Sequence, residues 1–154
     1  MEARLGDFDD PRVLELLREH LAGMHASSPP GSVYALDLSG LQQPTVAFFT
    51  AWDGDDLLGC AALKQIDDAT GELKSMRTAA RHLRRGAAAF LLEVVLRIAR
   101  SRGYARLCLE TGSGAAFEPA LALYRKYGFA PGPPFGDYVA TEFNQFLHLS
   151  LSPE

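Results

Sequence analysis

The stretch RHLRRGAAAFLLEVVLRIARSRGY, residues 81–104, decides both the fold and the functional interpretation of this chain. From Gly86 onward, apolar residues recur every three or four positions and charged residues occupy the other side, which predicts a helix that ends at Gly103. The N-terminal end of a helix dipole is positive, so basic residues just before it are unfavourable for the helix alone. Four such residues precede this helix: Arg81, His82, Arg84 and Arg85.

An anion bound at the helix start would account for this basic cluster. The first N–H groups of a helix have no intrahelical partners, and small residues at Gly86, Ala87 and Ala88 would let a bulky anion approach them. The phosphate-loop pattern G-x-x-x-x-G-K-[ST] and the dinucleotide pattern G-x-G-x-x-G are both absent from the sequence. The residues alone therefore leave two interpretations open, an anion site and a solvated basic turn.

Length and charge limit the classes of protein that this sequence can encode. Its 154 residues suit one domain, residues 1–154, and the net charge of -4 argues against a general nucleic-acid binder. No apolar run is long enough to span a membrane, and the acidic N-terminus has no secretory h-region. Cys60 and Cys108 stand far apart in apolar segments, which predicts small core residues and no metal site. We expect a cytoplasmic protein that binds neither nucleic acid nor membranes.

The elements on either side of the predicted helix indicate the fold class. Apolar runs at 72–79 and 105–111 predict a strand–helix–strand crossover, and three turn-separated runs over 44–79 predict an antiparallel meander. The prediction is thus an α/β (α+β) domain with a mixed, mostly antiparallel sheet flanked by helices. The other predicted elements are a strand at 2–6, a helix at 10–25, a short helix or irregular arm at 33–41, a helix at 117–128 and a strand at 141–151.

Four segments in order, ELKSMRT, RHLRRGAAAFLL, LCLET and ALALYRKYGF, resemble the GNAT superfamily of acyl-CoA-dependent N-acyltransferases. The loop signature [QR]-x-x-G-x-[GA] falls on residues 83–88, and the resemblance covers about residues 57–130. More loosely, the whole chain is similar to small bacterial members of that superfamily. The element A-x-x-L-Y-x-x-x-G-F falls on Ala120, Leu123, Tyr124, Gly128 and Phe129.

The resemblance implies acetyl-CoA as co-substrate and implies where it binds. Backbone groups of Met76, Arg77 and Thr78 would hold the acetyl carbonyl and the pantetheine arm. Two positions depart from the family pattern, since Leu83 replaces Gln or Arg and Phe117 replaces a cofactor-contacting Asn. The pyrophosphate would be held by Arg84, Arg85, Gly86, Ala87, Ala88 and Ala89.

Direct attack of an amine on the thioester in a ternary complex needs a base for the amine and an acid for the departing thiolate. By the resemblance, Tyr124 is the acid, and the alternative is a packing role. Glu72 is the candidate base, because it precedes Met76 by four residues and alternation would put both on one strand face. Its alternative is a surface carboxylate. Other candidate bases are His20, His25 and Glu110.

The acceptor site is expected between the first helix, the 27–31 bend and residues 131–138. His25, Lys64, Lys74 and Arg77 would favour an acceptor that carries an acid group, although solvated lysines are the simpler interpretation. The expected reaction is acetyl transfer to the amine of a small molecule. The alternatives are a non-catalytic acyl-CoA-binding sensor module and a protein or peptide N-acetyltransferase. The apolar strand at 141–151 looks unsuited to a free sheet edge and predicts a homodimer.

Overall fold

The computed structural model of the protein describes residues 1–31 and 38–151. Its strands form one mixed sheet with helices on both sides. Two single 3-10 turns, Ala80–His82 and Ala115–Phe117, precede the helices that begin at Ala87 and Glu118. In chain order the elements are β1 (Glu2–Leu5), α1 (Pro11–Ser27), α2 (Leu38–Leu41), β2 (Val46–Asp53), β3 (Asp56–Asp67), β4 (Thr70–Thr78), α3 (Ala87–Ser101), β5 (Arg106–Thr111), α4 (Glu118–Lys126), β6 (Ala130–Pro131) and β7 (Gln145–Ser150).

The sheet confirms the predicted fold class. Its strand order is β1-β2-β3-β4-β5-β7-β6, and β4 and β5 form its parallel pair while the other neighbours run antiparallel. Of the predicted short helix or arm at 33–41, residues 38–41 are helical and residues 33–37 lie outside the described residues. The last strand starts at Gln145 rather than at residue 141, because Asn144 Oδ1 accepts a hydrogen bond from the Thr141 backbone N–H and holds a turn there.

The helix α1 begins where the sequence places it. Asp10 accepts a hydrogen bond from the backbone N–H of Arg12, and Pro11 occupies the first helical position, where its missing N–H costs nothing. The apolar stripe of α1 packs on the sheet together with residues of β2 and β3. This cluster contains Val13, Leu16, Leu17, Leu41, Phe48, Trp52, Leu57, Cys60 and Ala62. We call the side of the sheet that it covers the α1 face.

The helices α3 and α4 cover the opposite side of the sheet, which we call the α3 face. Leu91, Val95 and Ala99 of α3 are fully buried there, and Leu121 and Tyr124 of α4 belong to the same cluster. The apolar positions predicted for residues 86–103 therefore face the core as expected. Helices thus cover both faces of the sheet.

The sheet opens between its two parallel strands. β4 pairs with β5 from Thr70 to Glu72 and continues to Thr78, whereas the pairing with β5 stops at Glu72 and Cys108. Beyond that point β3 is the one described strand that pairs with β4, and a bulge sets Ser75 and Met76 opposite one residue of β3, Ala61. Ser75 has a positive φ of 54°, which is uncommon for a residue with a side chain.

The homodimer was predicted because the apolar strand at 141–151 would lie at a free sheet edge, and that premise is wrong. β7 is an internal strand between β5 and β6, so its apolar side chains do not stand at a free sheet edge. Leu147 and Phe146 are buried within the protein itself.

Candidate active site

The start of α3 has the shape of an anion site. Gly86 caps the helix with a left-handed φ of 84°, and no side chain caps the N–H groups that follow. The first N–H groups of a helix lack intrahelical acceptors, so those of Ala87, Ala88 and Ala89 remain available. Met1 is the neighbour that a Cβ at Gly86 would meet, at 3.6 Å. The backbone at this helix start fits the pyrophosphate that the sequence predicts there.

The two arginines of the loop have different environments. Arg85 Nη2 lies 2.6 Å from Asp53 Oδ2 and Arg85 Nη1 lies 3.6 Å from Asp56 Oδ2, so this guanidinium is already paired with the β2–β3 turn. Arg84 is exposed, has a positive φ of 65°, and forms no ion pair within residues 1–31 and 38–151. Arg84 is therefore the more available of the two for a phosphate, and Arg85 fixes the start of α3 at the end of the sheet where β4 ends.

Glu72 and Met76 do not share a strand face, contrary to the prediction. Pairing with β3 puts Glu72, Lys74 and Arg77 on the α1 face, whereas Met76 packs against the cluster on the α3 face. The extra residue in the bulge at Ser75 inverts the alternation of side chains between Glu72 and Met76. The side chain of Arg77 consequently points away from the α3 side, although its backbone remains at the opening.

Glu72 is buried in a network with two partners. Tyr138 Oη donates a hydrogen bond to Glu72 Oε2 at 2.6 Å, and Lys74 Nζ lies 3.2 Å from the same oxygen. Lys74 Nζ also donates to Tyr138 Oη at 2.5 Å. The sequence suggested that Lys74 could attract an acid group of the acceptor. Its ammonium is instead bound to Glu72 and Tyr138 inside the protein and is not a free charge. Glu72 Oε1 accepts no hydrogen bond within the described part of the chain, which leaves that oxygen available for a proton.

Glu110, an alternative base, lies near this network on β5. Burial raises the pKa of its carboxyl group, and the charge of Glu72 acts in the same direction, while Asn144 and Lys74 act against it. Glu72 aligns with Cys108 across the parallel pair, so Glu110 follows on the same face. The structure thus brings both candidate carboxylates to the α1 face at the opening.

Tyr124 lies on the other side of the sheet. Its ring packs at 5.7 Å from that of Phe129 in the cluster on the α3 face, and burial raises the pKa of its phenol. Its hydroxyl has no hydrogen-bond partner among the residues described. A buried, protonated phenol without a partner can donate to a leaving group. Tyr124 also has the packing role that the sequence analysis gives as the alternative.

The remaining predicted site residues spread over the α1 face. Lys64 aligns with Glu72 across β3 and β4 and is half-buried, and His25 is exposed on the last turn of α1. His20 is buried, and burial followed by the charge of Arg77 lowers the pKa of its imidazole to about 4. An imidazole that stays neutral in this environment is poorly suited to remove a proton from an ammonium group.

Two residues of this region could not be selected from the sequence. Tyr138 lies in the β6–β7 loop, and no periodicity or spacing in the sequence predicts its contact with β4. Ser75 has a buried hydroxyl without a partner at the bulge. The one signal for Tyr138 is the aromatic and glycine-rich composition of the predicted acceptor-site segment, residues 131–138.

The cysteines are buried and unpaired, as predicted, and burial raises the pKa of both Cys60 and Cys108 to about 12. Within residues 1–31 and 38–151, no His, Cys, Asp or Glu group is arranged to hold a metal ion. None of the helices in those ranges combines the length and the apolar character that a membrane crossing requires.

Comparison with known proteins agrees with this geometry. The family model "Acetyltransferase (GNAT) family" matches residues 12–129. The Uncharacterized N-acetyltransferase YsnE of Bacillus subtilis (strain 168) is 49% identical over 98% of this chain and 100% of its own length. The Uncharacterized N-acetyltransferase YedL of Escherichia coli (strain K12) is 47% identical over 94% of this chain and 91% of its own.

Among solved structures, a Bacillus subtilis acetyltransferase in complex with CoA superposes with a TM-score of 0.73 at 20% identity, over 98% of this chain and 99% of that one. At this identity the match establishes the fold. The family model and the two relatives extend the agreement to the sequence itself. The protein therefore belongs to the acetyltransferase (GNAT) family and is an acyltransferase.

Proposed function

We propose that the protein transfers the acetyl group of acetyl-CoA to the primary amine of a small molecule by direct attack in a ternary complex. The opening between β4 and β5 is the observation that carries this proposal. The Glu72 network lies beside it on the α1 face, and Tyr124 belongs to the cluster that covers the α3 face. An acyl donor and an amine can therefore meet from opposite faces without a covalent enzyme intermediate.

The donor side is built from backbone groups. The N–H groups of Ala87, Ala88 and Ala89 at the start of α3 would bind the pyrophosphate, with Arg84 beside them. The β5-facing edge of β4 beyond Glu72 has no partner among the described strands, so the backbone of residues 76–78 can pair with the amide-bearing pantetheine arm. Acetyl-CoA supplies an activated thioester carbonyl when it is bound.

The acid and base act from the two faces. Glu72 would accept the proton of the acceptor ammonium through Oε1, while Tyr138 and Lys74 hold Oε2. Backbone N–H groups of residues 76–78 would stabilise the negative oxygen that develops on the attacked carbonyl. Tyr124 would give its phenol proton to the departing sulfur as the carbon–sulfur bond breaks, because its hydroxyl is unengaged.

A thiol-release assay with acetyl-CoA and a panel of small amines, amino acids and peptides tests this function. Release with a small amine or amino acid supports the proposal. Release with peptides alone would instead indicate a protein N-acetyltransferase. Tight binding of acetyl-CoA by calorimetry, with no thiol release for any member of the panel, would instead indicate a non-catalytic acyl-CoA-binding sensor module.

A further inference from the structure

Two polar side chains with buried, unpartnered nitrogen atoms lie where α1 crosses β4. His20 is 5% exposed, and neither of its ring nitrogens has a hydrogen-bond partner among the residues described. Arg77 Nε is also buried and unpartnered, and the guanidinium forms no ion pair with any described residue. Buried polar groups are hydrogen-bonded in about nine cases of ten or more, so unpartnered nitrogens on two side chains at the same crossing indicate a ligand.

Gly23 makes room for the arginine. A Cβ built on Gly23 would come within 2.8 Å of Arg77 Nη1 and 3.0 Å of Nη2, so the guanidinium lies directly on the backbone of α1. His20 is three residues earlier on α1 and therefore lies on the same helix face. The guanidinium thus packs against α1 while Arg77 as a whole stays partly exposed. Burial and then the charge of Arg77 lower the pKa of the His20 imidazole on the same helix face.

The charge of this pocket suits a monoanion. The pKa of His20 is lowered to about 4, so the imidazole is neutral at pH 7 and can donate one hydrogen bond. Arg77 contributes one positive charge, and the neighbouring Glu72–Lys74 pair on the same face compensates itself. A buried guanidinium nitrogen without a partner is costly, and a guanidinium pairs with a carboxylate through two parallel hydrogen bonds.

We propose that Arg77 and His20 bind the carboxylate of the acceptor, so that the acceptor is an amine with an acid group, such as an amino acid. This inference rests on the proposed acetyl transfer for its biological meaning, but the pocket can be tested without turnover. Arg77 follows Met76 at the opening and shares a face of β4 with Glu72. An acceptor whose carboxylate is bound by Arg77 would therefore extend its amine along the face that carries the candidate base.

Product-like ligands provide the test. We would record the ¹H–¹⁵N resonance of the Arg77 Nε–H group, assigned by its loss in Arg77→Lys, during titration in the presence of coenzyme A. The probes are N-acetylglycine, N-acetylleucine and N-acetylphenylalanine, each compared with its C-terminal amide. We expect at least one acid to shift this resonance and to bind about 10-fold or more tightly than its amide, as loss of one charge-assisted contact predicts.

Two variants sharpen the result. Gly23→Ala keeps both polar side chains but displaces the guanidinium, and His20→Asn removes the imidazole; each should weaken binding of the acids and leave that of the amides unchanged. Equal binding of acids and amides, or no response of Arg77 to any probe, would overturn the inference.

Kinetics separate this inference from the proposed function. With an active acceptor, Arg77→Gln should raise the KM for the acid by about 10-fold or more without changing the KM for acetyl-CoA. If no acceptor is acetylated but the acids still bind Arg77, the transfer proposal fails while the carboxylate pocket stands. If amines without an acid group are acetylated as well as their acid counterparts, the pocket inference fails while the transfer proposal stands.

Discussion

Tyr138 Oη lies 2.6 Å from Glu72 Oε2, although the two residues are 66 positions apart in the sequence. The bond connects the β6–β7 loop to β4 at the point where β4 separates from β5. Lys74 closes the network from the same strand, and the side chains of Glu72 and Lys74 are 3% and 8% exposed. Such a buried pair depends on its remaining hydrogen bonds, so this loop and the candidate base are energetically coupled.

Removing the phenol of Tyr138 should therefore destabilise the protein. Tyr138→Phe deletes a buried hydrogen bond to a carboxylate, and we expect the free energy of unfolding in urea to fall by about 1.5–3 kcal/mol. Val139→Ala is the matched control, because Val139 is exposed in the same loop and its loss should change stability by about 0.5 kcal/mol or less. Equal stability of Tyr138→Phe and the wild type would show that the bond does not form in solution.

Tyr124→Phe tests the proposed acid. The substitution keeps the ring and its contact with Phe129 but removes the proton donor, so stability and acetyl-CoA affinity should stay close to wild type. Turnover should fall by about 10²-fold or more, and in kcat rather than KM, because the proton is needed only as the carbon–sulfur bond breaks.

Tyr127→Phe provides the comparison for Tyr124. Tyr127 lies on the same segment, but its hydroxyl donates to Glu93 Oε1 at 2.8 Å and is engaged at the surface. Its loss should leave kcat unchanged. A Tyr124→Phe enzyme with the wild-type rate would remove Tyr124 from the mechanism and leave water as the acid.

Glu72 and Glu110 can be separated by pH profiles of the two glutamine variants. If Glu72 is the base, Glu72→Gln should lower kcat/KM by about 10²-fold or more, and the defect should ease at high pH, where the amine loses its proton unaided. Glu110→Gln should retain most of the activity. The reverse pattern would assign the base to Glu110, whose raised pKa keeps its carboxylate basic.

The start of α3 is tested best at Ala88. A glutamate at Gly86 would be strained by the positive φ of 84°, whereas Ala88 lies within the first turn of the helix. Ala88→Glu should raise helix stability slightly, by about 0.3–1 kcal/mol, because an anion suits the positive end of the dipole. It should weaken acetyl-CoA binding measured by calorimetry, and Ala88→Gln, which is uncharged, should weaken it less. Unchanged affinity in a folded Ala88→Glu variant would contradict a pyrophosphate site here.

His20 should make the protein sensitive to acid. Its folded-state pKa of about 4 lies below the ordinary value of 6.5, so between these pH values the unfolded chain binds a proton that the folded protein does not. Stability from this group is complete above pH 6.5 and is lost as the pH falls toward 4, by about 2–4 kcal/mol in total. His20→Asn should remove this part of the pH dependence in urea denaturation between pH 7 and pH 4.5. Parallel curves for variant and wild type would show that His20 is not buried in its neutral form.

Much of the fold and half of the candidate site could be predicted from the sequence, because they depend on local periodicity. The spacing of apolar residues identified α3, and the cap at Asp10 and Pro11 identified the start of α1. The loop before α3 was recognisable since its small residues and its helix start are consecutive in the chain. Tyr124 was selected by the resemblance to the GNAT family, since spacing alone favours a packing residue.

The tertiary structure decided which side chains meet. The bulge at Ser75 inverts the alternation that would have put Glu72 and Met76 on one face of β4. The residue types at positions 72–78 do not predict this bulge. Contacts between distant segments also determined that Tyr138 is bound to Glu72 and Lys74, that Arg85 is bound to Asp53, and that β7 is internal.

The sequence by itself determined the order of the main helices and strands and the helix start proposed to bind an anion, because both arise from neighbouring residues. Only the tertiary structure determined the faces of β4, the position of Arg77 and His20 at one crossing, and the contact of Glu72 with Tyr138. The physical reason is that one extra residue in a strand reverses every side chain after it, and contacts across a sheet depend on that count.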